Sequence, residues 1–163
     1  MTIKMNVGTQ AKSTLDSMAG QGFKINQEFT STIPDMPFDI TDLDDLGVMR
    51  LWQEHLAYSE FILAQVTVAE MDEQSAKKDL DLIEARYSSK HTQPKMTVSA
   101  IKALVMAEEE VIEADYQYSV AHNYRKGIDM LYTIVNGQCN FISRELTRRT
   151  STGFSGRASK FTT

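Results

Sequence analysis

"ILAQVTVAEMDEQSAKKDLDLIEARY", residues 62–87, decides the fold. Ile62, Val66 and Ala69, then Ala76, Leu80, Ile83 and Tyr87, follow one another at steps of four and three, with Glu73 alone breaking the series. That alternation averages 3.5 residues per turn, the spacing of a coiled-coil seam. A helix with such a stripe needs a second helix to cover it.

The N-terminal boundary lies in "TDLDDL", residues 41–46. Thr41 followed by Asp44 has the form of a capping box, and Asp42, Asp44 and Asp45 suit the positive end of a helix dipole. No proline interrupts the chain between Pro37 and Pro94, so a helix is predicted over about 41–87. "SSKHTQPKMT" (88–97) then reads as a loop, and the helical pattern restarts with Thr97 or Ser99 as caps. So short a loop predicts an antiparallel return, which makes the fold class all-α: a long, coiled-coil-like helical hairpin.

The second helix is predicted over about 98–149 and carries two stripes. One is Ala121, Tyr124, Ile128, Leu131, Val135, Gln138 and Ile142; beside it run Gly127, Met130, Ile134, Gly137 and Phe141. One stripe can face the first helix, and the other needs a different partner. Gly127 and Gly137 each cost a helix roughly 1 kcal/mol relative to Ala, so they point to a close approach by a neighbour, the plainer reading being a kink. Gly127, Met130, Ile134, Gly137 and Phe141 are therefore the candidate homo-oligomer interface.

Residues 1–40 are rich in Gly, Ser, Thr, Asn and Gln and end in "STIPDMPFDIT". They read as a flexible or extended arm with room for a short helix near "AKSTLDSMA". Its lack of a continuous apolar run argues against a secretory signal. The single Cys139 fits a reducing compartment, and the cytoplasm is the expected setting. The longest uncharged stretch of the first helix, residues 61–69, is too short to span a bilayer, so no membrane partner is expected.

Charge is unevenly distributed. The formal net charge is −5, yet residues 143–163 carry five Lys or Arg against Glu145 alone. Between Asp35 and Glu84 there are thirteen acids against three bases, a face that repels polyanions. Residues 150–163 are expected to form a basic tail, in which Arg157 and Lys160 alternate with Phe154 and Phe161. Cations follow phosphates and rings stack on bases, a combination suited to single-stranded nucleic acid. The same tail can clasp an acidic neighbouring subunit, and the plainest reading is a solvated tail. The dipole of the preceding helix already accounts for Arg148 and Arg149.

Catalytic motifs are absent from the sequence: there is no Walker loop, HExxH, CxxC or GxSxG, and "GQGFKI" (20–25) is only a fragment of a dinucleotide fingerprint. His55, His91 and His122 stand far apart, without ligand spacing. No catalytic residue, metal or cofactor is expected. The nine methionines read as core filler and Trp52 as a packing anchor.

The segments "LIEARYSS" (82–89), "VMAEEEVIEADYQYSVAHNYRKGIDML" (105–131) and "SRELTRR" (143–149) resemble the recombination mediators of T4-type phages, the UvsY-like family. The resemblance covers about Leu51 to Arg149 and leaves out the N-terminal arm. It implies a non-catalytic homo-oligomer that binds single-stranded DNA, engages the strand-exchange recombinase and helps displace single-strand-binding protein. Arg86 matches a basic position of the family's DNA-binding segment, whereas the basic position before it is Glu84 here. The candidate phosphate contacts are Lys77, Lys78, Arg86, Lys90, Arg148, Arg149, Arg157 and Lys160, with Phe154 and Phe161 as stacking groups. The competing expectation is a phage virion structural or assembly protein whose tails clasp neighbouring subunits; its location would be the virion.

Overall fold

The structure, a computed structural model, describes residues 2–158 apart from 24, 31, 93 and 95; the side chains of residues 10 and 152–158 are also outside the description. The chain is mostly helical, with elements β1 (Ile3–Lys4), α1 (Thr9–Gly20), β2 (Glu28–Phe29), α2 (Asp45–His91), α3 (Val98–Val105) and α4 (Glu109–Ala158). The long helices α2 and α4 pack extensively, as an antiparallel helical hairpin. Among the described residues no helix is long and apolar enough to cross a membrane. The chain divides into two compact units.

The first unit comprises residues 1–5, 26–64 and 129–163. Here β1 pairs antiparallel with β2, Ile3 opposite Phe29 and Lys4 opposite Glu28. The Phe29 ring lies 5.0 Å from Tyr58 and 5.8 Å from Phe61 on α2, so an aromatic cluster anchors this ribbon. Ile40, Val48 and Ile142 form the core, packed by Met36, Leu43, Leu51, Trp52 and Leu146. Trp52 is thus a packing residue.

The entry to α2 differs from the capping box expected at Thr41. Ile40–Asp42 form a 3-10 turn, and Asp39 caps it by accepting from the Thr41 backbone N–H at 2.8 Å. Asp44 then caps α2 itself, accepting from the Gly47 N–H at 2.6 Å. Two aspartates each satisfy a turn, because the chain must bend between Asp42 and Asp44 to bury both Ile40 and Val48.

The second unit comprises residues 6–25 and 65–128. The short helix expected near "AKSTLDSMA" is α1, with Ala11 and Leu15 buried. Its approach is pinned to α2 by backbone N–H groups: Asn6 donates to Gln65 Oε1 at 3.3 Å and Gly8 to Asp72 Oδ2 at 3.0 Å. A Cβ on residue 8 would push aside the Asp72 carboxylate that its N–H holds, so glycine suits this close approach.

The return segment is two helices, where one was predicted from residue 98. It breaks at Met106–Glu108, between α3 and α4. Thr97 caps α3, its hydroxyl accepting from the Ala100 N–H at 3.3 Å. The break has a packing cause. Val105 and Val111 both join Leu80 in one core cluster, yet residues six apart on a continuous helix point roughly 120° apart. Interrupting the helix turns both inward, and Glu109 and Glu110 then sit at the favourable N-terminal end of α4. The other end also differs, since α4 continues to Ala158 where the helix was expected to stop near Arg149. Phe154 and Arg157 accordingly fall within it.

Candidate functional site

The two stripes of α4 have different fates. Val135 and Ile142 are buried and Ile128, Leu131 and Gln138 half-buried, so this stripe faces the protein. Met130 is 64% exposed, Ile134 53% and Phe141 53%. A Cβ on Gly127 or Gly137 would meet nothing within 4 Å, so no neighbour among the described residues approaches them. The outer face is an apolar stripe notched by two glycines.

This stripe is longer than its first reading. Tyr116, Val120, Asn123, Gly127, Met130, Ile134, Gly137 and Phe141 succeed one another at steps alternating between four and three, and all are exposed. Continuing the spacing backwards from Gly127 would have found the first three. "MLYTIVNGQCNFIS", residues 130–143, contains no charged residue. A helix face meant for water ordinarily carries charge over such a length. The next position in the same register is Arg144, exposed and without an ion pair among the described residues. It is not among the candidate phosphate contacts expected from the sequence.

Of the six candidate phosphate contacts whose side chains are described, four are held by carboxylates of the same chain. Lys77 Nζ lies 2.8 Å from Asp81, a bond that raises its pKa, and 5.4 Å over the Tyr118 ring. Arg86 pairs with Glu110, and its guanidinium stands 5.1 Å from the Tyr87 ring centroid. Lys78 and Lys90 are exposed and have no ion pair among the described residues; Lys90 Nζ lies 5.0 Å over Tyr87. Lys160 and Phe161 lie outside the described residues, as do the side chains of Phe154 and Arg157.

Arg148 and Arg149 converge on Glu145. Arg148 donates through Nε and Nη2, both at 2.7 Å, and Arg149 Nε donates at 2.7 Å. These bonds, from Arg148 first and then Arg149, hold the Glu145 carboxyl at about 2. Arg149 is only 15% exposed and also donates to the carbonyls of Leu43 and Ile40, at 2.8 and 3.1 Å. Its role is to clasp the start of α2.

Glu73, the anomaly in the α2 seam, has two partners. It accepts from His122, at 2.7 Å, and from Arg125, and these hydrogen bonds, His122 foremost, lower its pKa. Beside this cluster Tyr124 Oη donates to Gln65 Oε1 at 3.2 Å. The seam therefore contains one charged layer. His55 is fully buried, with Nδ1 donating to the Leu51 carbonyl at 2.9 Å. His91 bonds Glu108 at 2.6 Å. The three histidines thus serve three separate contacts.

The methionines fit the core-filler expectation only in part. Met5 is buried and Met36 packs on the core, but Met49, Met106 and Met130 are exposed. Met130 belongs to the outer stripe of α4, where an adaptable side chain suits a contact surface.

No family model matches the chain, and neither the curated proteins nor the solved structures contain a match.

Proposed function

We propose that this protein acts by assembly rather than by catalysis. Copies associate through the outer face of α4, and the oligomer offers its cationic groups to single-stranded nucleic acid, as a recombination mediator does when it helps load a recombinase. The reading is carried by one observation: the exposed, uncharged apolar stripe from Met130 to Phe141 passes in the same register into Arg144.

The physical argument begins with water. Covering half-exposed side chains such as Ile134 and Phe141 gains on the order of 1 kcal/mol each. Steps of four and three specify a helix as the cover. The stripe meets its own copy without like-charge repulsion, whereas α2 between Asp45 and Glu84 is strongly acidic. Association also repeats Arg144, Lys78 and Lys90 once per subunit. A few cations bind a polyanion weakly, but repeated along a strand they bind it with avidity and a steep salt dependence.

Fluorescence anisotropy of a labelled single-stranded oligonucleotide tests this, using full-length protein at low and physiological salt beside an Ile134→Lys variant. The expected result is salt-sensitive binding that weakens at least tenfold in the variant. No binding at low salt overturns the nucleic-acid role.

A second reading, a virion assembly subunit, is favoured by the carboxylates that hold Lys77, Arg86, Arg148 and Arg149. Under it, oligomers form and the oligonucleotide does not bind at either salt concentration.

A further inference from the structure

A different surface, within the second unit, lacks a partner of its own. Ala76, Ile83 and Tyr87 belong to the α2 seam but are only half-buried. They face an open groove of about 920 Å³, walled on the other side by the first turns of α4, where Ile112 is 56% exposed. Among the described residues that line it are five carboxylates and no Lys or Arg. Glu108 is engaged by His91 and Glu110 by Arg86. Asp79, Glu109 and Glu113 are exposed and have no ion pair among the described residues.

An apolar floor beneath unneutralised acids suits a segment with apolar anchors and cationic flanks. Such a segment exists in the same chain. Residues 150–163 contain Phe154, Arg157, Lys160 and Phe161 and no acid. Phe154 and Phe161 are seven residues apart, two turns of a helix, which is the anchor spacing of helix-in-groove recognition. Glu113 and Phe154 belong to the same helix, forty-one residues apart in sequence, and a continuous helix does not fold its own end back onto its first turns, so the occupant is the segment of a second copy.

We infer that the groove between Ile83 on α2 and Ile112 on α4 is the docking site for the basic, aromatic segment 150–163 of a second copy of the chain. Phe154 and Phe161 fill the apolar floor, while Arg157 and Lys160 meet Glu109, Glu113 and Asp79. The contact rests on the self-association proposed above but uses residues other than Met130, Ile134 and Phe141. Copies are then joined head to tail, a heterologous contact that extends into chains or closes into rings.

The test uses a fluorescein-labelled synthetic peptide of residues 150–163, titrated with the full-length protein at low and physiological salt. Saturable binding is expected, weakened at least tenfold by Glu109→Lys with Glu113→Lys in the protein, and likewise by Phe154→Ser with Phe161→Ser in the peptide. A peptide with Arg157→Glu and Lys160→Glu should bind wild-type protein at least tenfold more weakly and regain affinity for the lysine variant. This exchange separates a charge contact from a loss of fold, as does an unchanged far-UV circular dichroism spectrum. Absence of saturable binding, or equal affinity for wild-type and lysine-variant protein, overturns the inference. Ile134→Lys protein should bind the peptide as wild type does, so failure of the α4 interface and failure of the groove are read separately.

Discussion

Arg149 Nη1 donates to the carbonyl oxygen of Leu43 at 2.8 Å, across 106 residues of sequence. Its Nη2 takes the Ile40 carbonyl and its Nε takes Glu145, so one guanidinium ties the last part of α4 to the turn that precedes α2. Only the planar fork of an arginine serves three acceptors in these directions. Arg149→Ala should lower the melting temperature by about 5 °C, and Arg149→Lys should recover only part of it. Thermal melts followed by circular dichroism check this; an unchanged melting temperature in Arg149→Ala would mean that the clasp contributes nothing.

The charged layer at Glu73 makes a second prediction. Glu73→Ala leaves Arg125 and His122 half-buried without their acceptor, at a cost of about 2 kcal/mol. Glu73→Gln, which keeps an acceptor oxygen but not the charge, should lose less. Urea denaturation of the three proteins gives the order directly, and a Glu73→Ala midpoint equal to wild type would refute it.

Acid sensitivity follows from the lowered carboxyls. Glu145 titrates at about 2 in the folded protein against an ordinary 4.5. A depressed folded pKa means that its stabilisation is fully present above the ordinary value and is lost as pH falls toward 2. Glu73 and Glu110 are lowered in the same sense, by His122 and by Arg86 respectively. The wild-type melting temperature should therefore fall between about pH 4.5 and 2. The fall should be shallower in Glu145→Gln; identical slopes would show that the Arg148–Glu145–Arg149 cluster plays no part.

The hairpin was legible because its evidence is periodic: the α2 seam from Ile62 to Tyr87 fixes a helix and its need for a partner. The second stripe of α4 was legible for the same reason, and the structure leaves it uncovered. Glu73 stood out as an anomaly, but its partners are 49 and 52 residues away, and nothing local identifies them. The break at Met106–Glu108 contains neither Gly nor Pro and arises from the shared core of Val105 and Val111, so local signals could not mark it. Strands of two residues are likewise too short to display an alternating pattern. Basic residues were visible in sequence, and Glu145 stands at helical i,i+3 and i,i+4 spacing from Arg148 and Arg149, but the acid that holds Arg86, Glu110 on the other helix, became apparent only in three dimensions.

Arg144 and Arg149 should therefore behave differently toward nucleic acid. Arg144 is exposed in the register of the outer stripe, and Arg144→Ala should reduce the salt slope of oligonucleotide binding by about one per contacting subunit. Arg149→Ala should alter stability and leave that slope unchanged. Anisotropy over a salt series separates them, and an equal change of slope in both would refute the assignment.

The most direct test is sedimentation velocity of the wild-type protein and of Ile134→Lys over a range of micromolar concentrations. Because Ile134 is 53% exposed, the substitution should leave the helical circular dichroism spectrum intact. Wild type should sediment above the 18.4 kDa monomer mass, and the variant at a lower mass than wild type at each concentration, keeping only what the groove contact supplies. A wild-type protein that stays monomeric, or a variant that assembles equally well, would contradict association through the outer face of α4.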